Sequence, residues 1–191
     1  MSKQLRNFLL LGVGIEIVLF ALLMWYFEAQ WGEVFRYAAR ISGRFSLLIF
    51  VYCFVVFLEG IRQEGGVALS SKYKHLILTF TVMHLIHFGF LAMNVYLNGI
   101  HLVPVRLLGG FLGYVLLVTY PWLLSKQKSP QWLHFFYFFY LSIVFLLTYV
   151  ARAKGDFEGA TPSSVHYAGL AVSGLVLLLD LYFFILTKRK S

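Results

Sequence analysis

His84 and His87 lie three residues apart in an apolar run, flanked by Met83, Leu85, Ile86 and Phe88. If that run is helical, both imidazoles share one face. Two imidazoles on one intramembrane face can hold a metal or a haem iron, or handle protons near neutral pH. Interhelical hydrogen bonding is the plainer use, since bundles in lipid join helices with polar side chains. Glu16, Arg44 and Asp180 also sit within apolar runs, and His75, His134 and His166 lie nearer their ends. Ionisable groups at membrane depth are costly and are functional candidates by default. Glu16 is about eight residues into the first run and Asp180 about eight from the end of the last, which predicts similar depth. Each acid can pair with a histidine or hydroxyl, stay neutral in the low dielectric, or belong to a proton path. A boundary histidine such as His101 reads as structural.

These residues need long apolar helices to position them. The 191 residues are 60% hydrophobic, 19% aromatic and 13% charged. A soluble domain carries about 25% charged residues and cannot hide so much apolar surface in one core. Lipid removes that difficulty. Six spans of roughly 20 residues with short connections use the whole length. The expected fold is therefore all-α: one polytopic domain, 1–191, forming a six-transmembrane-helix bundle. The spans fall at about 8–27, 41–61, 75–95, 105–124, 132–150 and 165–187. The first is too long for a signal-peptide core, lacks a small-residue cleavage site and reads as a retained span. The second is interrupted by charge, because Arg44 and Glu59 leave only 14 uncharged residues between them. Arg44 must snorkel or pair inside the bundle. Gly65-Gly66, Asn98-Gly99, Ser129-Pro130 and Gly155-Asp156 punctuate the loops. Gly109 and Gly113, and likewise Gly169 and Ser173, are small-xxx-small pairs that let another helix come close. Pro121 can add a kink near the end of the fourth span.

The net charge of +8 sits at the ends of the apolar runs, where topology determinants and phospholipid contacts lie. With six spans, one side holds Lys3, Arg6, Arg62, Lys72, Lys74, Lys126, Lys128, Lys188, Arg189 and Lys190. The other holds Arg36, Arg40, Arg44, Arg106, Arg152 and Lys154. Ten against six predicts both termini in the cytoplasm. The one cysteine, Cys53, rules out an intrachain disulfide and reads as packing. A phosphate-binding glycine loop, a His-Glu-x-x-His pair and a serine nucleophile motif are all missing from the sequence. No basic arm interleaved with aromatics points to nucleic acid.

Several stretches together carry a resemblance. Arg40-Ile41-Ser42-Gly43-Arg44-Phe45-Ser46-Leu47-Leu48 resembles the start of the second helix in bacterial ferric-reductase-like transmembrane proteins, a group related to NADPH oxidases and ferric reductases. Met83-His84-Leu85-Ile86-His87-Phe88 resembles that family's histidine-bearing third helix. Gln131-Trp132-Leu133-His134 and Tyr149-Val150-Ala151-Arg152 resemble the start and exit of its fifth. The resemblance covers roughly residues 35 to 155. It implies a bacterial inner-membrane protein that passes electrons through b-type haem held by histidines of the third and fifth helices. It also implies that Arg40 and Arg44 face a haem propionate or an anionic headgroup.

The ligand spacing departs from that family. Its histidines stand roughly 13 or 14 apart on each helix, which at about 100° per residue returns them to one face, some 20 Å apart in depth. Here the positions 13 and 14 after His134 are Leu147 and Thr148. His75 and His87 are 12 apart, about 120° out of register, and His75 and His84 face opposite ways. The two-haem array is absent. At most one haem is expected, with His84, His87, His134 and His75 as ligands or neighbours, and His87 and His134 matching the family's iron ligands. The sequence carries no flavin or nicotinamide domain, so a flavoprotein, a quinol or another partner subunit must supply electrons. The alternative is a haem-free structural or interaction subunit, or a small proton or solute transporter, on the same scaffold. Both allow homo- or hetero-oligomers in the bilayer.

Overall fold

The computed structural model describes residues 3–64, 70–101, 104–125, 130–156 and 161–189. Gly65-Gly66, Lys126, Lys128, Ser129 and Lys190 lie outside the described residues. Among the described residues all regular structure is helical. The elements are α1 Lys3–Tyr26, α2 Trp31–Glu64, α3 Ser71–Leu97, α4 Pro104–Ser125, α5 Gln131–Lys154 and α6 Ser164–Lys188. All six are long and apolar enough to cross a bilayer. The chain is an all-α, multi-pass membrane protein.

The helices end where local chemistry stops them. After α1 the chain turns through Glu28 and Ala29, both left-handed at φ 49° and 57°. Ser70 caps α3, its hydroxyl accepting the Tyr73 amide at 3.2 Å. Gly155 closes α5 in the left-handed region at φ 77°, which glycine adopts without a Cβ penalty. α4 continues through Pro121 to Ser125.

The second helix is longer than the apolar run within it. It spans 34 residues from Trp31, about 51 Å at 1.5 Å per residue. That exceeds the ~30 Å hydrocarbon layer. The Trp31–Arg40 segment is helical despite its charges because they find partners. Glu33 pairs with Arg36 one turn on. Arg36 donates to Asn98 Oδ1 at 3.0 Å, and Asn98 Nδ2 donates to the Gly32 carbonyl at 3.0 Å. Hydropathy marks only the part of a helix that lipid covers.

The chain forms two compact units. The first holds α1, α2 as far as Cys53, and α3. In it α1 packs on α3, and Phe20, Phe35 and Phe90 form an aromatic cluster with ring centroids 5.3–6.1 Å apart. The second holds α2 from Phe54 onward with α4, α5 and α6. There α5 packs along α6 and against α4. Phe57 stacks on Phe138 at 5.0 Å, and Phe54 and Phe135 meet them edge-on at 5.2 Å. Outward positions stay apolar, as lipid requires: Leu10, Leu11, Ile17 and Val18 of α1, and Leu175 and Leu178 of α6, are exposed.

Candidate functional site

Within the first unit, α2 presents Ser42, Gly43 and Ser46 on one face, since residues three and four apart are neighbours on a helix. Each meets a chemically active side chain. Ser42 donates its hydroxyl proton to Glu16 Oε1 of α1 at 2.6 Å. Ser46 Oγ lies 2.6 Å from His84 Nδ1 of α3. His87 lies against Gly43, where a Cβ would stand 2.9 Å from its Cε1 atom. The two imidazoles have centroids 5.3 Å apart. A carboxyl, two hydroxyls and two imidazoles from three helices therefore form one polar cluster. Glu16 and His87 are buried, at 3% and 8% exposure, and His84 is half-buried. Methionine seals one side: a Cβ on Gly12 would meet the Met83 sulfur at 2.8 Å.

The cluster joins two stretches that sequence resemblance picked out separately. The Ser42–Ser46 face belongs to the Arg40–Leu48 stretch, and its partners are the histidines of Met83–Phe88. The partner of Glu16 is a hydroxyl, one of the options its burial allowed. That Ser42 rather than a histidine takes this role was not readable, because sequence fixes which residues share a face but not which face meets another helix.

The other predicted residues take different places. Arg40 lies over the Tyr37 ring at 5.2 Å. Arg44 is half-buried, and its buried Nε has no hydrogen-bond partner among the described residues. His75 gives its backbone carbonyl to the Thr79 hydroxyl at 2.8 Å. In the second unit His134 is fully buried, with Nδ1 2.6 Å from the Tyr120 hydroxyl. Its ring lies 6.0 Å from Phe57 and 5.8 Å from Tyr120, and Tyr120 stacks on Tyr137 at 3.8 Å. Asp180 is buried on α6. His166 Nδ1 lies 3.2 Å from Ser163 Oγ at the start of α6.

A b-type haem needs an imidazole with a free ring nitrogen and a flat space beside it. Hydroxyls at Nδ1 of both His84 and His134 orient the rings as outer partners of a ligand would. The space is the obstacle at His134. At 0% exposure no water-sized gap borders its side chain, so a macrocycle would have to displace Tyr120 or Phe57. His87 itself fills the space over Gly43. In this packing His134 is fully enclosed by its neighbours, while His84 is half-buried.

Aromatic enclosure of His134 and the Arg36–Asn98–Gly32 lock escaped sequence reading. The signal for the lock was weak: a charged residue before a span and an Asn-Gly turn after another. No protein family, no curated protein and no solved structure matches this chain.

Proposed function

We propose that this chain is a proton-handling subunit on a ferric-reductase-like membrane scaffold, working without the family's paired haems. The observation that carries the reading is the cluster of Glu16, Ser42, Ser46, His84 and His87. It links a carboxyl to a hydroxyl and a hydroxyl to an imidazole, one helical turn apart, inside membrane-spanning helices. Such groups exchange protons along hydrogen bonds with small movements. Their burial at depth is costly unless used. Ser42 and Ser46 position the carboxyl and the imidazole, and Gly43 leaves room for His87. On this reading the protein lies in a bacterial inner membrane with both termini cytoplasmic, as its excess of Lys and Arg favours. It works beside a redox or transport partner.

Proteoliposomes carrying an internal pH dye, driven by a potassium diffusion potential, test this reading. The wild-type chain should acidify or alkalinise the lumen faster than empty liposomes. Glu16→Gln and His84→Ala should slow that flux by roughly tenfold or more, the scale of losing one acid–base group. Flux equal to empty liposomes, or unchanged in both variants, sinks it.

A second reading is favoured by the Ser46 contact at His84 Nδ1. It is a single b-type haem held by His84, fed by a flavoprotein or a quinol. A bound haem would supply one-electron transfer across part of the membrane. Reduced-minus-oxidised spectra of the purified protein decide between the readings. No Soret band after haem supplementation removes the second, and a band lost in His84→Ala establishes it.

A further inference from the structure

The buried stripe of α6 is unusually polar. His166, Gly169, Ser173, Val176 and Asp180 recur at three- and four-residue intervals and are all buried. This stripe faces α5. Gly169 meets Tyr149, Gly174 meets Leu146 and Phe184 meets Phe135. The three pairs fix an antiparallel register in which Ser142 lies nearly opposite residue 177. Asp180 is then three residues further along, about 4.5 Å in depth. Ser142 falls on the α5 line defined by Phe135, Leu146 and Tyr149, so both residues belong to the seam.

One side-chain oxygen of each is buried and unpartnered among the described residues. Asp180 is 1% exposed and Ser142 0%. Asp180 Oδ1 and Ser142 Oγ have no hydrogen-bond partner among the described residues. The contrast with other helical hydroxyls is informative. Thr79, Thr81, Thr119, Thr148, Ser173 and Thr187 each return their proton to a carbonyl one turn back. Ser142 does not, and its hydroxyl stays available on the seam that holds the carboxyl. A buried oxygen of either kind is costly to leave idle in lipid. Two of them on facing helices match a site for a small polar species. Asp180 and Ser142 together offer three side-chain oxygens, too few to replace the hydration shell of a metal cation, which takes six or more oxygens for calcium or magnesium. A proton needs one acceptor and one relay.

We propose that Asp180 and Ser142 form an intramembrane proton-binding site on the α5–α6 seam. Asp180 takes up and releases the proton, and Ser142, whose hydroxyl makes no direct bond to the carboxyl in this packing, relays it through one bridging water. The site stands on α5 and α6 alone and does not depend on the Glu16 cluster. By the same register the ionisable groups of α5 nearest in depth are Tyr140, Tyr137 and His134, opposite about 179, 182 and 185, and all three are engaged with α4; on α6 itself Tyr182 is exposed, Lys188 lies about two turns away and His166 about four.

A hydrophobic carbodiimide, dicyclohexylcarbodiimide, tests the site on the full chain in liposomes. A protonated carboxyl in lipid adds its O–H across one C=N bond, giving an O-acylisourea. An acyl shift from oxygen to nitrogen then gives a stable N-acylurea that retains the whole reagent. Peptide mass mapping should place the adduct on Asp180, in the wild type and in Glu16→Gln alike, so this site and the proton-flux reading fail separately. Ser142→Ala should slow the labelling several-fold. Asp180→Asn should fold with an unchanged melting midpoint and lose an infrared carboxyl band that shifts in D2O in the wild type. An unlabelled Asp180 beside a labelled Glu16 overturns the proposal, as does protection of Asp180 by Na+, which would make it a metal-cation site. Labelling indifferent to Ser142→Ala removes the relay.

Discussion

Glycine shows how little a residue type says until its neighbour is known. Gly109–Gly113 and Gly169–Ser173 have the same spacing and invite the same expectation of close helix approach. Around Gly169 the approach is extreme: a Cβ there would stand 2.2 Å from the Tyr149 ring. Around Gly113 it is ordinary, with Val144 at 3.6 Å, and a Cβ on Gly109 would meet nothing within 4 Å. Gly109 contributes through its backbone instead, its carbonyl accepting from the Tyr140 hydroxyl at 3.0 Å. Gly169→Ala should therefore destabilise the protein by about 1–3 kcal/mol, the usual cost of overpacking. Gly113→Ala should be close to neutral. Melting midpoints in detergent check both, and equal midpoints for the two variants would contradict the argument. Tyr120→Phe is a companion test. It removes the hydroxyl at His134 Nδ1 and leaves a buried ring nitrogen without that contact, at a cost of about 1–3 kcal/mol.

Among the elements, α2 carries the most. Its middle turns supply every contact of the polar cluster to α1 and α3, and its Phe54–Phe57 segment enters the aromatic cluster of the second unit. Its first ten residues depend on side-chain locks rather than on lipid. Asn98 bonds Arg36, the Gly32 carbonyl and the Asn94 side chain and carbonyl. Asn98→Ala should loosen the start of α2 while leaving its apolar middle intact. Hydrogen exchange should show faster amide exchange over 32–38 and no change over 45–58. Uniform acceleration along α2 would mean the lock holds more than the helix start. The span expected from Ile41 was read from the apolar run, and the segment before it was legible only through the partner that Asn98 provides.

At the scale of the whole molecule, six helices among the described residues are long and apolar enough to cross a bilayer, and if each crosses, both ends should lie on one side. Single cysteines introduced at Ser2, His101 and Ser191, in a Cys53→Ala background, test this with a membrane-impermeant thiol reagent. In right-side-out vesicles His101→Cys should react at once, and Ser2→Cys and Ser191→Cys only after permeabilisation. Reaction of one terminus but not the other would require an odd number of spans. Reaction of both termini, but not His101→Cys, before permeabilisation would invert the orientation.

Much of this protein was legible in its sequence because lipid imposes a coarse rule: apolar stretches of sufficient length become spanning helices, and their number can be counted. The shared face of His84 and His87 was likewise readable, since helical periodicity alone fixes it. The small residues Ser42, Gly43 and Ser46 were visible as a motif, yet nothing in their spacing said that Glu16 would take one serine and His84 the other. Periodicity sets angles around one axis. It says nothing about which axis lies alongside. Tertiary structure decided that His134 is walled by Tyr120 and Phe57 and that Gly169 is filled by Tyr149. It also left Ser142 Oγ and Asp180 Oδ1 without hydrogen-bond partners among the described residues, on one seam. The pair of histidines that first marked the chain keeps its shared face, and its chemistry is now tied to a serine, a glycine and, through α2, a buried carboxyl.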